Sequence, residues 1–196
     1  EFLKQRGVEL SEEKTKITHI SEGFDFLGQH IRKYQSTHKN KLRIIPSKDS
    51  IQRIQAKIKD ICKSSLHLTP TQLIKKLNPV LRGWANYHCH VICNVAFPKI
   101  DNYVYRRLMR WARRRHPTKT GCWIKKKYFC THKGWDWTFY DKTTGQRLIH
   151  IPQAIKSQKH IKIKAKANPY DEQWAEYFIT REKNLKLKRM YRLRAK

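Results

Sequence analysis

Apolar positions recur at helical spacing through the middle of this chain and at alternate or clustered positions toward its ends. In residues 51–66, "IQRIQAKIKDICKSSL", Ile51, Ile54, Ile58 and Ile61 fall at steps of three and four, one stripe of an amphipathic helix. Ser50 reads as its N-cap. Arg53, Lys57 and Lys63 lie mostly away from the stripe. Thr69-Pro70 is a cap followed by proline at the first helical position, which predicts a short helix. Asn78-Pro79 repeats the signal, so a new helix is expected from Pro79, with Val80, Leu81, Trp84, Tyr87 and Val91 as its apolar face. Gly83 reads as a point of close helix approach, and Arg82 as an exposed contact beside it. A third long helix is predicted from Phe97 to about His116. There Ile100, Val104, Leu108 and Trp111 face one way, and Arg106, Arg110 and Arg113 the other.

The flanks carry a different period. A helical start closing at Gly7 is followed by "FDFLGQHIRKY" at 24–34, read as a strand with Phe24 and Phe26 on one face. "NKLRIIPS" at 40–47 is placed to pair back against it. After Pro117, "GCWIKKKYF" and "WDWTFYDKTTGQRLIHI" are rich in aromatic and β-branched residues. Lys142-Thr143-Thr144-Gly145 predicts a turn between two short strands. Trp135, Trp137 and Phe139 would build a small second core, with Trp123 and Tyr128 able to join it. "HIKIKAK" at 160–166 alternates strictly, as a strand or an extended basic segment. "NPYDEQWAEYFITREKN" predicts an N-capped helix with Trp174, Tyr177 and Phe178 on one side. The basic tail "LKLKRMYRLRAK" is expected to be helical only when bound.

Charge narrows the partners. The 196 residues carry a formal net charge of +29, with 44 Lys and Arg against 15 Asp and Glu. Such an excess repels itself unless a polyanion neutralises it. With 39% hydrophobic and 11% aromatic residues, the chain reads as folded rather than as a disordered tail. Cations interleave with Trp and Tyr along the whole length, which suits nucleic acid better than a membrane surface. The five cysteines lack paired spacing and no signal peptide or membrane-spanning run is visible, so a reducing, cytoplasmic compartment is expected. The chain opens on Glu1 in mid-pattern, which predicts a truncated, processed or engineered start.

Candidate chemistry is sparse. The Arg106, Arg110 and Arg113 row spans roughly 10 Å at 1.5 Å per residue. A solvated helix face is the plain reading of such a row; flanking Arg107, Arg114 and Arg115 and the total charge favour phosphate contact. Lys125 and Lys126 extend the basic set, and Lys162, Lys164 and Lys166 share one face of the alternating segment, as a plain surface strand or a phosphate-tracking one. Trp84 reads as core packing rather than base stacking. His88, Cys89, His90 and Cys93, and the looser set His116, Cys122, Cys130 and His132, raise the question of zinc. Neither has a second ligand pair at metal spacing, so buried thiols and surface imidazoles are the default and no metal is assigned.

Three stretches carry a family resemblance. "GVELSEEKTKITHISEGFDFLGQHIRKY" resembles the last conserved block of the reverse transcriptase domain encoded by group II introns, which ends in Phe-Leu-Gly. "LNPVLRGWANYHCH" at 77–90 is similar to the centre of the maturase domain, domain X or thumb. "WIKKKYF", "WTF" and "HIKIKAKANPYDEQWAEYFITR" resemble the segment after the thumb in many bacterial members. The resemblance implies an α+β chain: residues 1–49 a remnant of the polymerase palm ending in a β-hairpin, 50–117 a three-helix-bundle thumb, and 118–196 a basic post-thumb region of hairpin and helix. It also implies a structured RNA partner, a group II intron, with Mg2+ in the RNA and no cofactor in the protein; target DNA and an upstream polymerase portion are further partners it suggests. Two departures bear on activity. The family's polymerase site needs an Ala-Asp-Asp box to hold two magnesium ions, and this sequence has no Asp-Asp pair. The metal ligands of the HNH endonuclease found in many members after "NPYD" are also missing. The expected function is therefore RNA binding that stabilises a splicing-competent intron fold within a ribonucleoprotein, bacterial or organellar. The alternatives are a part of an active intron reverse transcriptase whose thumb grips primer–template, and a basic DNA-binding adaptor.

Overall fold

Residues 7, 9, 11, 13, 15–35, 41–157, 163, 164 and 166–194 are described by a computed structural model, with side chains as far as 187. The expected helix before Gly7 lies outside these residues. The described residues form a mixed α and β structure in two units, Glu1–Lys159 and His160–Lys196.

The first unit opens with an antiparallel sheet of β1 (Phe24–Phe26), β2 (Gln29–Tyr34) and β3 (Lys41–Pro46), in that order. The expected single strand at 24–34 is thus a hairpin. Leu27 and Gly28 both have positive φ (48° and 74°), the geometry of a two-residue turn that matches strand twist. The expected pairing of 40–47 against it holds, with Ile31 opposite Ile44 and His30 opposite Ile45. The Ser47 amide donates to Gly28 O and the Ile92 amide to Ile44 O, both at 2.9 Å, which ties the sheet to the helices.

Helix α1 (Lys48–Ser64) is capped by Ser47, whose hydroxyl accepts from the Ser50 amide, and not by Ser50 itself. β3 ends at Pro46, so the chain turns into the helix three residues earlier than the sequence suggests. Helix α2 (Pro70–His88) has the expected Thr69 cap, completed as a capping box by Gln72. It does not stop for Pro79, so the predicted short helix and its successor are one. Asn78 has a different task. Its Oδ1 accepts from the Ile149 amide at 3.0 Å and its Nδ2 donates to Arg147 O at 3.2 Å. Gly83 faces open space, since a Cβ there would meet nothing within 4 Å. The close approach expected at that glycine is absent.

Helix α3 (Ala96–Arg115) buries Ile100, Val104, Leu108 and Trp111 as expected. Trp111 donates its indole N–H to Ser65 O at 2.8 Å, satisfying a carbonyl at the end of α1. The stretch after it is helical: α4 (Gly121–Tyr128) starts at a Thr120 cap. A second hairpin follows, β4 (Phe129–His132) and β5 (Trp135–Phe139), turning at Lys133-Gly134. The turn expected at 142–145 is present, closed by Gly145 N to Asp141 O at 2.8 Å, but only an isolated bridge, Tyr140 to Arg147, flanks it. Asp141 accepts from the Thr71 amide and hydroxyl at 3.2 and 2.6 Å, an anion at the N-terminus of α2. The Thr143 and Thr71 hydrogen bonds hold its carboxyl below the usual range. A short helix α5 (Ile151–Ala154) completes the unit.

The second core expected around Trp135, Trp137 and Phe139 is not separate. Tyr128, Phe139 and Ile151 belong to one apolar cluster with Ile58, Leu77, Ile100 and Leu108, while Trp135 and Trp137 are 46% and 49% exposed. In the second unit, Asp171 caps a 3-10 turn (Glu172–Trp174) that leads into α6 (Ala175–Arg194). Trp174, Tyr177 and Phe178 make successive ring contacts as expected. The tail is helical to Arg194. Ile163 and Lys164 form no strand and Lys166 lies in a turn; the rest of the alternating 160–166 segment, Lys162 included, lies outside the described residues. Among the described residues, no helix is long and apolar enough to cross a membrane.

Candidate nucleic-acid interface

Packing of α1 against α3 fixes a strongly basic concavity. Cys62 of α1 and Trp111 of α3 are both buried, and the cations beside them line a cleft of about 180 Å3. Lys59, Lys63, Arg107, Arg110 and Arg114 line it, and no carboxylate among the described residues does. None of these cations pairs with a carboxylate among the described residues, whereas Arg53 is paired with Asp49 at 2.6 Å. On α3, Arg107, Arg110 and Arg114 follow steps of three and four, so they form one ridge beside the buried stripe. The Arg107 guanidinium lies 4.8 Å from the Tyr103 ring centroid, which limits its rotamers. Burial pushes the Cys62 thiol up to about 11, with Arg107 opposing, so Cys62 is a neutral floor of the cleft.

The sequence-predicted residues separate on this frame. Lys63, Arg107, Arg110 and Arg114 come together in the cleft. Arg106 and Arg113 are exposed on α3 outside it. Arg53 and Lys57 stand instead at a second groove, of about 800 Å3, whose lining includes Leu27, Val80, Trp84 and Tyr87. Arg82 is exposed and lines neither. Lys126 is exposed, and Lys125 lies 4.2 Å over the Trp137 ring. Lys164 sits 5.1 Å from the Tyr177 ring in the second unit, and Lys166 is exposed there. Lys59 went unread. It lies one turn before Lys63, and that i, i+4 pairing beside Cys62 was its signal.

Trp84 is half-buried between helices, as expected for a packing residue. Its indole contacts Phe97 and His88 and donates to Ser50 Oγ at 3.1 Å. Ser50 Oγ in turn lies 2.9 Å from His88 Nε2. Because the indole can only donate, the hydroxyl proton is free to point at the imidazole. Burial lowers the His88 pKa to about 4, with His90 adding to the effect, so the ring is neutral at pH 7 and accepts that bond. His90 instead meets Gln29 at 2.9 Å, and Cys89 donates to Asn86 O. Thus His88, Cys89 and His90 are engaged in three directions. Among the described residues, no three His, Cys, Asp or Glu side chains gather as a metal site.

Residues 51–129, from the first turn of α1 to the start of β4, match the model of the group II intron maturase-specific domain. Maturase-like protein 1 of Euglena gracilis is 33% identical over 87 residues, covering 44% of this chain and 19% of that protein. Maturase-like protein 1 of Euglena longa is 32% identical over 89 residues, again 44% of this chain and 19% of the relative. The chain therefore spans only about a fifth of the length of the curated relatives it matches. The helices that build the basic cleft lie inside the segment that matches this family model.

Proposed function

We propose that the chain binds group II intron RNA and stabilises its splicing-competent fold. The observation that carries this reading is the α1–α3 cleft, with five cationic side chains and no carboxylate among the described residues. Compact RNA brings phosphate strands close together, and their repulsion opposes folding. A rigid cluster of unpaired guanidinium and ammonium groups relieves that repulsion best where strands converge, so it binds the folded RNA more tightly than the unfolded. The net charge of +29 adds long-range attraction. Splicing chemistry then stays with the RNA and its own Mg2+. In this reading α1, α2 and α3 are the thumb and β1–β3 the end of a polymerase palm.

A second reading is favoured by the placement of that sheet directly before α1. Here the same cleft grips primer–template within a longer intron reverse transcriptase. The two are separated by binding and primer-extension assays. The chain is titrated with its folded intron transcript, with unrelated RNA of equal length and with duplex DNA at matched salt. Preference for the folded intron without primer extension supports RNA stabilisation. Equal affinity for all three reduces the protein to a basic adaptor and overturns it.

A further inference from the structure

Trp137 occupies a conformation that its side chain disfavours. In the β4–β5 hairpin, His132 pairs with Trp135, yet Cys130 pairs with Thr138 and Phe129 with Phe139. Asp136 and Trp137 therefore stand opposite Thr131 alone, which is a β-bulge. Trp137 takes φ 67°, the left-handed region that favours glycine. A bulky residue held there is under strain. Thr131 Oγ1 donates to Asp136 Oδ1 at 2.7 Å, so the bulge is stitched in place.

The strain does not serve the core. Phe139 is buried to 1% exposure, while Trp137 is 49% exposed. One face of the indole has the Lys125 ammonium 4.2 Å from its centroid, and Tyr105 lies 6.4 Å away. Trp135 is 46% exposed as well and is anchored against His150, with centroids 4.1 Å apart. Two exposed indoles on one short strand, with a cation over one of them, make a surface that stacks bases and holds the adjoining phosphate. We infer that the bulge presents Trp137 as a stacking platform for an unpaired nucleobase of RNA, with Lys125 as the phosphate partner. Base-paired RNA keeps its rings inside the helix and offers the platform nothing to stack on. The inference rests on the RNA-binding reading above and adds to it a selectivity for unpaired segments.

The test uses the full chain, short labelled oligonucleotides and fluorescence anisotropy. The ligands are an unpaired RNA 10-mer, a blunt-ended RNA duplex of the same length and the DNA version of the 10-mer. Trp137→Gly suits the φ of the site, so its melting temperature should hold or rise. Its affinity for unpaired RNA should fall roughly 5- to 150-fold, the range of one lost base–aromatic stack, with duplex binding and salt slope unchanged. Trp137→Phe should keep most of the affinity. The 10-mer made as DNA should lose affinity in parallel, since every base has a π-face; a loss confined to DNA would overturn the assignment to RNA. Equal weakening for paired and unpaired RNA, or none, sinks the platform. A lower melting temperature with unchanged binding makes Trp137 a packing residue and also sinks it. No intron transcript is used, so loss of intron preference would defeat the proposed function and leave this result standing.

Discussion

The indole of Trp84 and the hydroxyl of Ser50 are 3.1 Å apart, one on α2 and the other in the first turn of α1. This bond closes a chain that runs from the Trp84 N–H through Ser50 to His88, all at the seam between the two helices. Removing the central hydroxyl takes the partner from an indole donor and from the acceptor of the buried His88 ring. Ser50→Ala should therefore destabilise the fold by about 1–3 kcal/mol, read as a lower urea midpoint at constant slope. An unchanged midpoint would mean that the seam readily admits water.

His88 gives a pH signature whose sign is fixed by burial. Its folded pKa is about 4 against 6.5 for the free ring, so the unfolded chain takes up a proton that the folded chain refuses. Stability from this residue is intact above pH 6.5 and is lost as the pH falls toward 4, by on the order of 2–3 kcal/mol. Asp101 works the other way. Burial raises its carboxyl to about 7, opposed by the Ile151 amide, so it favours the folded state at low pH and loses that contribution as pH rises through 7. The comparison that isolates His88 is thus wild type against His88→Gln, melted from pH 4 to 7. The difference should change with pH across this window; parallel curves would clear His88 of the effect.

The cleft predicts which cations carry phosphate. Changing Lys59, Lys63, Arg107, Arg110 and Arg114 to Gln should flatten the salt dependence of RNA binding by about 0.7–0.9 log units per lost contact. Arg106→Gln with Arg113→Gln, outside the cleft, should flatten it less. The opposite ranking would move the contact face to the outer ridge of α3.

Thiol reactivity offers a check on packing. Cys62 is buried and its thiol is raised to about 11, so iodoacetamide at pH 7.5 should label exposed Cys122 well before Cys62. Peptide mass spectrometry resolves the two. Early labelling of Cys62 would show that α1 and α3 separate in solution.

Much of the helical part was legible because burial imposes its own period. Ile54 and Ile58 on α1, and Ile100, Val104 and Leu108 on α3, fall where three- and four-residue steps put them. The exposed arginines of α3 followed from the same arithmetic. Failures arose where a local signal was overruled by a partner far along the chain. Asn78-Pro79 has the chemistry of a helix start, but the Asn78 side chain is engaged by residues 147–149, and the helix runs through. Trp135, Trp137 and Phe139 alternate in sequence, yet one extra residue at the bulge separates their fates. The candidate site was half legible for a related reason. A sequence shows which arginines leave the core, but not which neighbouring helix supplies lysines to meet them. That depends on Cys62 and Trp111 bringing α1 and α3 together.

The apolar cluster that joins Ile58 and Leu108 to Phe139 and Ile151 continues past the end of the matched segment at Phe129. A recombination point at Phe129 would cut through the interior and leave oil facing water on both pieces. A chimera that grafts this segment onto another protein should therefore take its junction beyond Ala154, carrying the hairpin and α5 along as the lid of the same box.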